Sequence, residues 1–138
     1  MMALANLLSH PAISDDRMTG PFGDRSIKRS SKDLGRSVAL AWLDDENLDR
    51  WETEWLNAMK QQFPNTWVES SATVGDGLRL LLASPDDLEE AFHTWRVGLL
   101  SSRSDLSEAA LSATGERLLQ GPIAAMSVAA VGSSAQQE

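Results

Sequence analysis

The carboxylates are the side chains in this sequence with the most potential for chemistry, because they occur in two runs. These are Asp44, Asp45 and Glu46 in the first run, and Asp86, Asp87, Glu89 and Glu90 in the second. Neighbouring carboxylates can act as a general acid and base or bind calcium, but the Asp-x-Asp-x-Asp-Gly spacing of a calcium loop is missing. Both runs fall in the first turn of a predicted helix, where the helix dipole favours negative charge. We therefore interpret most of these acids as residues that start helices.

Other catalytic and ligand-binding groups are scarce. The chain has no cysteine, no tyrosine and two histidines, His10 and His93. Neither histidine has a second one at the spacing of metal ligands. The glycine pair Gly75-Asp76-Gly77 lacks the rest of a phosphate-binding motif and is typical of a hairpin turn. From these residues we expect a protein that is not an enzyme, with no catalytic residue, no cofactor and no metal.

The net charge of −8 is unevenly distributed along the 138 residues. Residues 1–37 hold four acids and six bases, whereas residues 38–138 carry a net charge of −10. The first segment also contains scattered serine, glycine and proline without an apolar period, so we predict that it is a flexible arm. Its basic stretch from Arg25 to Lys32 fits contact with an anionic partner, although interleaved charges are more typical of a solvated loop.

We expect residues 38–132 to form one compact domain and residues 133–138 to be a frayed tail. The acidic body would repel phosphate, which excludes nucleic acid as a partner. No apolar run approaches the roughly 18 residues of a membrane span. The apolar start of the chain lacks the basic residues and the length of a Sec signal peptide. The expected location is therefore cytoplasmic, with secretion by a Sec-independent route as an alternative.

Helical signals are clearest in two segments. Over residues 44–63, apolar side chains recur at steps of three and four, and Pro64 ends the pattern. A second helix is predicted from Ser84, which can cap it, through residue 100. A continuation would begin at Ser104 and run through residue 111. Residues 38–42 fit either a short strand or a lead-in turn.

Three strands are predicted beside these helices. Residues 66–74 and 78–83 would pair as an antiparallel hairpin through the Asp76-Gly77 turn, since the second run alternates leucine with other residues. Residues 123–131 are small, apolar and β-branched enough to form the third strand. The predicted fold class is α+β: a small two-layer sandwich of helix, β-hairpin, helix and strand, preceded by a disordered N-terminal arm.

The five tryptophans fall into two groups. Trp51, Trp55 and Trp95 lie on apolar helical stripes and are predicted to be core residues. Trp42 and Trp67 have no periodic assignment, so we predict that they are exposed and anchor a protein partner. With the second acidic run, the predicted partner-binding residues are Trp42, Trp67, Asp86, Asp87, Glu89 and Glu90.

A small acidic body without cysteine, behind a serine-rich N-terminus that lacks a Sec signal, resembles accessory proteins of the bacterial type III secretion apparatus. From Trp67 onward the chain is similar to the export-control proteins (needle-length control and substrate-specificity switch) of the plant-pathogen Hrp type. The matching segments are residues 77–83, 86–100 and 123–131. The resemblance implies a disordered N-terminal part and a compact C-terminal domain that acts on the cytoplasmic gate of the export machinery.

The function predicted from this resemblance is that of a non-enzymatic regulator of type III protein secretion. It would contact the export apparatus, and residues 1–37 would serve as a secretion signal. Two other classes stay open. A class I secretion chaperone binds an effector, but usually begins its first helix near the N-terminus and has more strands. An immunity protein would neutralise a basic toxin, and in each case an acidic body favours the encounter with a basic protein partner.

Overall fold

A computed structural model describes residues 1–20, 23–98, 100–103 and 105–136. About three quarters of these residues lie in helices, and the strands among them form a single two-stranded sheet. The predicted α+β sandwich is therefore wrong. The predicted disordered N-terminal arm is wrong as well, because a helix begins at the second residue.

The helices and strands follow one another in this order: α1 (Met2–Ser9), β1 (Arg17–Gly20), β2 (Gly23–Lys28), α2 (Arg29–Leu43), α3 (Leu48–Gln62), α4 (Trp67–Thr73), α5 (Asp76–Ala83), α6 (Pro85–Val97), α7 (Glu108–Leu118) and α8 (Ala124–Gln136). A 3₁₀ turn, Asp45–Asn47, precedes α3, and a π-helical turn, Leu119–Ile123, joins α7 to α8. The helix α2 occupies the middle of the fold, where it contacts α1, α6 and α7, while α4 packs against α8.

Several apolar side chains among the described residues of the first 37 belong to the hydrophobic core. Leu4 and Leu7 of α1 are almost fully buried, and so are Ile27 of β2 and Leu34 of α2. The helix α2 runs without a break across residue 37. Burial of one such side chain stabilises the folded state by about 1.5–3 kcal/mol. These residues therefore favour a packed N-terminal segment, which is why the prediction of a flexible arm is wrong.

Small residues in α2, which look like loop signals in the sequence, form its contact face. Gly35 lies against Ala91 of α6, where an added Cβ would come within 3.1 Å of the alanine Cβ. The carbonyl of this glycine accepts a 2.7 Å hydrogen bond from the indole Nε1 of Trp95. The buried hydroxyl of Ser37 donates to the carbonyl of Ala3 at 3.0 Å. Serine and glycine therefore allow α1 and α6 to approach α2 closely.

The helix predicted over residues 44–63 is confirmed as the 3₁₀ turn followed by α3. Trp55 and Met59 are buried, as the apolar period indicates. Trp51 is half-buried and packs on Trp55 with 5.1 Å between the ring centroids. Its Nε1 donates a 2.7 Å hydrogen bond to a carboxylate oxygen of Asp44, which ties the start of α3 to the preceding turn.

The predicted hairpin over residues 66–83 is wrong, because α4 and α5 occupy the two predicted strands. In α5, Leu78 and Leu81 are buried whereas Leu80 is 51% exposed, which is helical spacing and not the alternation of a strand. At Gly77, α5 passes close to the backbone of His10, since a Cβ on this glycine would collide with the backbone oxygen of that histidine. A run of leucines fits the periodicity of a helix as well as that of a strand, and the packing of α5 against the rest of the fold determines that it is a helix.

The predicted start of α6 is confirmed by its cap. The side chain of Ser84 accepts a 3.3 Å hydrogen bond from the amide of Asp87, and Pro85 occupies the first turn. The helix ends at Val97, before the predicted end at residue 100. The continuation is α7, capped by Ser107, whereas the predicted cap Ser104 lies outside the described residues.

The predicted strand over residues 123–131 is also wrong, because α8 covers almost all of it. Pro122 lies in the preceding π-helical turn, where the wider spacing of the backbone accommodates a residue without an amide proton. Met126 and Ala130 are buried at a helical spacing of four. The helix continues to Gln136, and the last two residues of the predicted frayed tail lie outside the described residues.

Candidate functional site

The second acidic run lies on α6, where the helix presents its carboxylates in two directions. Asp87 and Glu90 stand one turn apart and retain only 7% and 8% of their exposure. Asp86 and Glu89 are exposed. The cap at Ser84 fixes where the helix begins and therefore which carboxylates turn inward. Burial of a carboxylate costs free energy unless a cation or several hydrogen-bond donors lie close to it. The candidate site therefore consists of these two carboxylates and the groups that pair with them.

Those partners are basic residues of the β-hairpin. Arg17 Nη1 lies 3.0 Å from Glu90 Oε2, and Lys28 Nζ lies 2.9 Å from Asp87 Oδ1. The backbone amide of Lys28 donates a further 3.2 Å hydrogen bond to Glu90. The buried carboxylates of α6 are thus neutralised by side chains that lie 73 and 59 positions earlier in the chain.

The exposed carboxylate of Glu89 forms the third contact of this site. Its two oxygens accept hydrogen bonds of 2.7 and 2.6 Å from the two terminal nitrogens of Arg25, which is the bidentate geometry that arginine favours. These bonds lower the pKa of Glu89 and raise the pKa of Arg25. The hydrogen bond with Asp87 likewise raises the pKa of Lys28. The shifts of Arg25 and Glu89 therefore both favour the charged forms of that pair.

Four of the predicted partner-binding residues, Asp86, Asp87, Glu89 and Glu90, are together on α6. Within the described residues, Asp86 has no ion-pair partner, so its carboxylate points to solvent. The two tryptophans lie on other helices, and both are half-buried against the core. The guanidinium of Arg103 lies 4.5 Å from the ring centroid of Trp42. Lys60 Nζ lies 5.0 Å from the ring centroid of Trp67.

The sequence reasoning missed the basic half of the site. Arg17, Arg25 and Lys28 belong to the segment that was predicted to be a flexible arm. The sequence signal that could have found them is the opposite charge of the two parts of the chain, about +2 against −10. Arg25 and Lys28 of the basic stretch contact carboxylates of α6 in the same chain, and contact of this stretch with a separate anionic partner stays a prediction.

A second polar cluster joins the end of α1 to α2. His10 is 9% exposed, and its Nε2 lies 2.6 Å from Asp33 Oδ2. Lys32 Nζ lies 2.8 Å from the other oxygen of the same carboxylate. Burial alone would raise the pKa of Asp33, but the hydrogen bonds from Lys32 and His10 outweigh it and hold that pKa below its ordinary value. This cluster holds the N-terminal helix against the fold.

The surface also carries an open apolar cleft of about 270 Å³ between α1 and α3, and Leu4, Leu8, Met59 and Phe63 are among the residues that line it. Within the described ranges, no group of three or more histidine, aspartate or glutamate side chains could hold a metal ion. Among the same residues, no helix has the length and apolar character needed to cross a membrane.

Comparisons with protein-family models, with curated proteins and with solved structures find no match to this chain. The geometry on α6 and the hairpin is therefore the basis for a functional conclusion.

Proposed function

We propose that this chain is a non-enzymatic regulator that acts by protein–protein contact, and that the acidic face of α6 recognises a basic segment of its partner. The observation that carries the proposal is the arrangement of Asp87, Glu89 and Glu90, which already bind three basic side chains of one short segment. A partner segment with arginine and lysine at similar spacing would find the same acceptors in the same positions.

The charge of the whole chain supports this kind of partner. Residues 38–138 carry a net charge of −10, which attracts a basic protein over a distance of about one Debye length, near 10 Å at moderate ionic strength. Such a field mainly increases the association rate and disfavours acidic competitors. Asp86 is the carboxylate of α6 that an incoming cation reaches first, because it is exposed and the hairpin leaves it unpaired among the described residues.

Trp42 and Trp67 are the aromatic residues that we propose to contact the partner. Each ring is packed against the core on one side and has a cation over it, which leaves part of the indole accessible. A partly exposed tryptophan that is held in place loses little conformational entropy when a partner covers it, which is why such residues are frequent interface anchors.

The setting that we propose is type III protein export, in which the chain would contact the export apparatus and could itself be secreted. What supports this setting is the composition: a small acidic chain without cysteine and with a serine-rich N-terminus. Two of the segments that suggested the resemblance, residues 77–83 and 123–131, are largely helical and not strands. The setting therefore rests on composition and not on the fold.

A class I secretion chaperone is the second candidate, and one observation favours it. The first helix begins at Met2, as is usual in that class, whereas the export-control resemblance implies a disordered N-terminus. The described residues contain only the two strands of the hairpin, which is fewer than such chaperones have. The two candidates differ in their partner: a chaperone copurifies with an effector, and an export regulator contacts the apparatus.

Site-specific photo-crosslinking in the source cell tests the proposed contact. A photoreactive residue replaces Asp86 in one variant and, as a matched control, Glu54 on α3, which is equally acidic and exposed. We expect a discrete adduct with a basic protein from position 86 and not from position 54, identified by mass spectrometry. The same adducts from both positions, or none from position 86, would refute the proposed surface.

Release of the chain into the medium tests the setting separately. The full chain with a C-terminal reporter is expressed in cells with an intact type III apparatus and in cells whose export ATPase is inactive. Release that requires the active ATPase supports the setting. Equal release from both strains, or retention in both, contradicts export of the chain by this route, and the contact through α6 is judged by the crosslinking experiment.

A further inference from the structure

Among the described residues, the β-hairpin has few apolar contacts with the rest of the fold. A two-stranded hairpin is marginally stable in water without something to pack on. Ile27 is fully buried, and its cross-strand partner Met18 is half-buried. The side chains of Arg17, Thr19 and Ser26 are exposed. Among the described side chains of the hairpin, Ile27 is the one apolar group that is fully buried, and its burial contributes about 1.5–3 kcal/mol.

Three ion pairs also hold the hairpin to α6. Arg17, Arg25 and Lys28 each pair with a different carboxylate of α6. The Arg25 pair is the most open, with 40% and 50% of its two side chains exposed, and ions in solution screen such a pair readily. The Lys28 pair is the most enclosed, at 21% and 9%.

The segments on both sides of the hairpin are held independently of it. Before it, α1 is fixed by the buried Leu4 and Leu7 and by the contact between His10 and Asp33. After it, α2 begins at Arg29 and is fixed by Leu34. The contacts that hold the two flanking helices therefore do not depend on the ion pairs of the hairpin.

We propose that the β1–β2 hairpin is an electrostatic strap, which closes over the acidic face of α6 and opens locally when its ion pairs are screened or competed away. The strap is defined as residues 17–20 and 23–28. It is an internal copy of the basic segment that a partner would supply, so it limits access to Asp87, Glu89 and Glu90 until the partner displaces it. This competitive role rests on the proposed function, whereas the local opening is a property of the isolated chain.

Hydrogen–deuterium exchange of the full chain at two salt concentrations tests the local opening. The Debye length falls from about 10 Å at about 0.1 M salt to about 3 Å at about 1 M salt. We expect amides of the strap to exchange about tenfold faster at the higher salt, because the ion pairs each contribute a modest free energy that salt removes. Amides of α2 and α3 should keep their exchange rates. An unchanged strap, or acceleration of all three elements by one common factor, would overturn the proposal.

Two variants separate the ion pairs from the apolar contact of Ile27. The R25Q variant removes the most exposed pair, and R79Q is the matched control because Arg79 forms an exposed pair with Asp76 within α5. We expect R25Q to accelerate strap exchange at low salt and to reduce the additional effect of high salt. R79Q should behave as the wild type in the strap. If R25Q exchanges like R79Q, the strap is held by its apolar contact and the proposal fails.

Binding of a basic peptide tests the competitive role. The probe is a fluorescently labelled peptide with the sequence of residues 16–29, measured by anisotropy against the wild-type chain and the R25Q variant. We expect tighter binding to R25Q, because its own strap competes less for α6. Equal affinity for both chains would exclude competition by the strap. A failure of the crosslinking experiment would leave the salt response in place, so the two proposals fail separately.

Discussion

Replacement of Leu7 by alanine distinguishes between a packed N-terminal helix and a flexible arm. Leu7 lies in α1 with no exposed surface, so the substitution removes buried methyl groups and leaves a cavity in the core. In a disordered arm the same change would remove no contact. The variant therefore tests a feature on which sequence reasoning and structure disagree.

The expected loss of stability is large for a chain of this size. Replacement of a fully buried leucine by alanine costs about 2–5 kcal/mol, depending on how far the surroundings collapse into the cavity. The whole folded state of a single domain is stable by about 5–15 kcal/mol. Urea denaturation has a slope of about 1–3 kcal/mol per molar for small proteins, so at a slope of about 2 kcal/mol per molar the midpoint should fall by about 1–2.5 M.

The measurement is urea denaturation followed by tryptophan fluorescence and by circular dichroism, with Leu80→Ala as the matched control. Leu80 is 51% exposed on α5, so the same chemical change there should alter the unfolding free energy by about 0.5 kcal/mol or less. If Leu7→Ala is no more destabilising than Leu80→Ala, α1 is not part of the core and the account of the N-terminus is refuted.

Three further predictions concern other parts of the fold. Gly77→Ala should destabilise the chain by at least about 1–3 kcal/mol in urea denaturation, because the new methyl group meets the backbone of His10, whereas a hairpin turn would not give this clash. Trp95→Phe should cost about 1–3 kcal/mol by the same assay, because it removes the buried hydrogen bond from the indole to the carbonyl of Gly35 and replaces a buried ring with a smaller one. The pKa values of Asp33 and Glu89 are lowered in the folded state, so their stabilisation is present above the unfolded pKa of about 4 and is lost as the pH falls through the lower folded values. Thermal unfolding at decreasing pH should show this loss, with a smaller slope for Glu89→Gln, and an unchanged slope would contradict the assignment.

The parts of the fold that the sequence predicts are the helices with local signals. The helix from Leu48 has an apolar face at steps of three and four, and the helix at Pro85 has a serine cap and acidic first turn. These signals act over one or two turns, so they can be recognised without knowledge of the rest of the chain. Both helices are confirmed, although the second ends three residues before its predicted end.

The parts that the sequence does not predict are decided by distant contacts. The leucine run of α5 fits a strand as well as a helix, and burial of Leu78 and Leu81 on one side settles the choice. Gly35 and Ser37 look like loop residues until the neighbouring helices are placed against them. In each case the deciding neighbour is tens of residues away, and propensity alone carries no information about it.

The candidate site likewise has one part that the sequence predicts and one part that it does not. The number and spacing of the acidic residues of α6 can be read from one short stretch of the sequence. Their role in binding a partner stays a prediction. The basic residues that face them were assigned to a separate, flexible segment. The pairing of Lys28 with Asp87 spans 59 positions. Only the opposite charges of the two parts of the chain hint at it in the sequence.

Zero-length carbodiimide crosslinking of the dilute wild-type chain tests the central claim most directly, because it joins an amine to a carboxylate only when the two groups are in contact. Lys28 Nζ and Asp87 Oδ1 are 2.9 Å apart. Peptide mapping by mass spectrometry should find an intramolecular bond between these two residues, lost at high salt together with the protection of the strap. Bonds from Lys28 scattered over the acidic residues of the chain, or none to α6, would contradict the account.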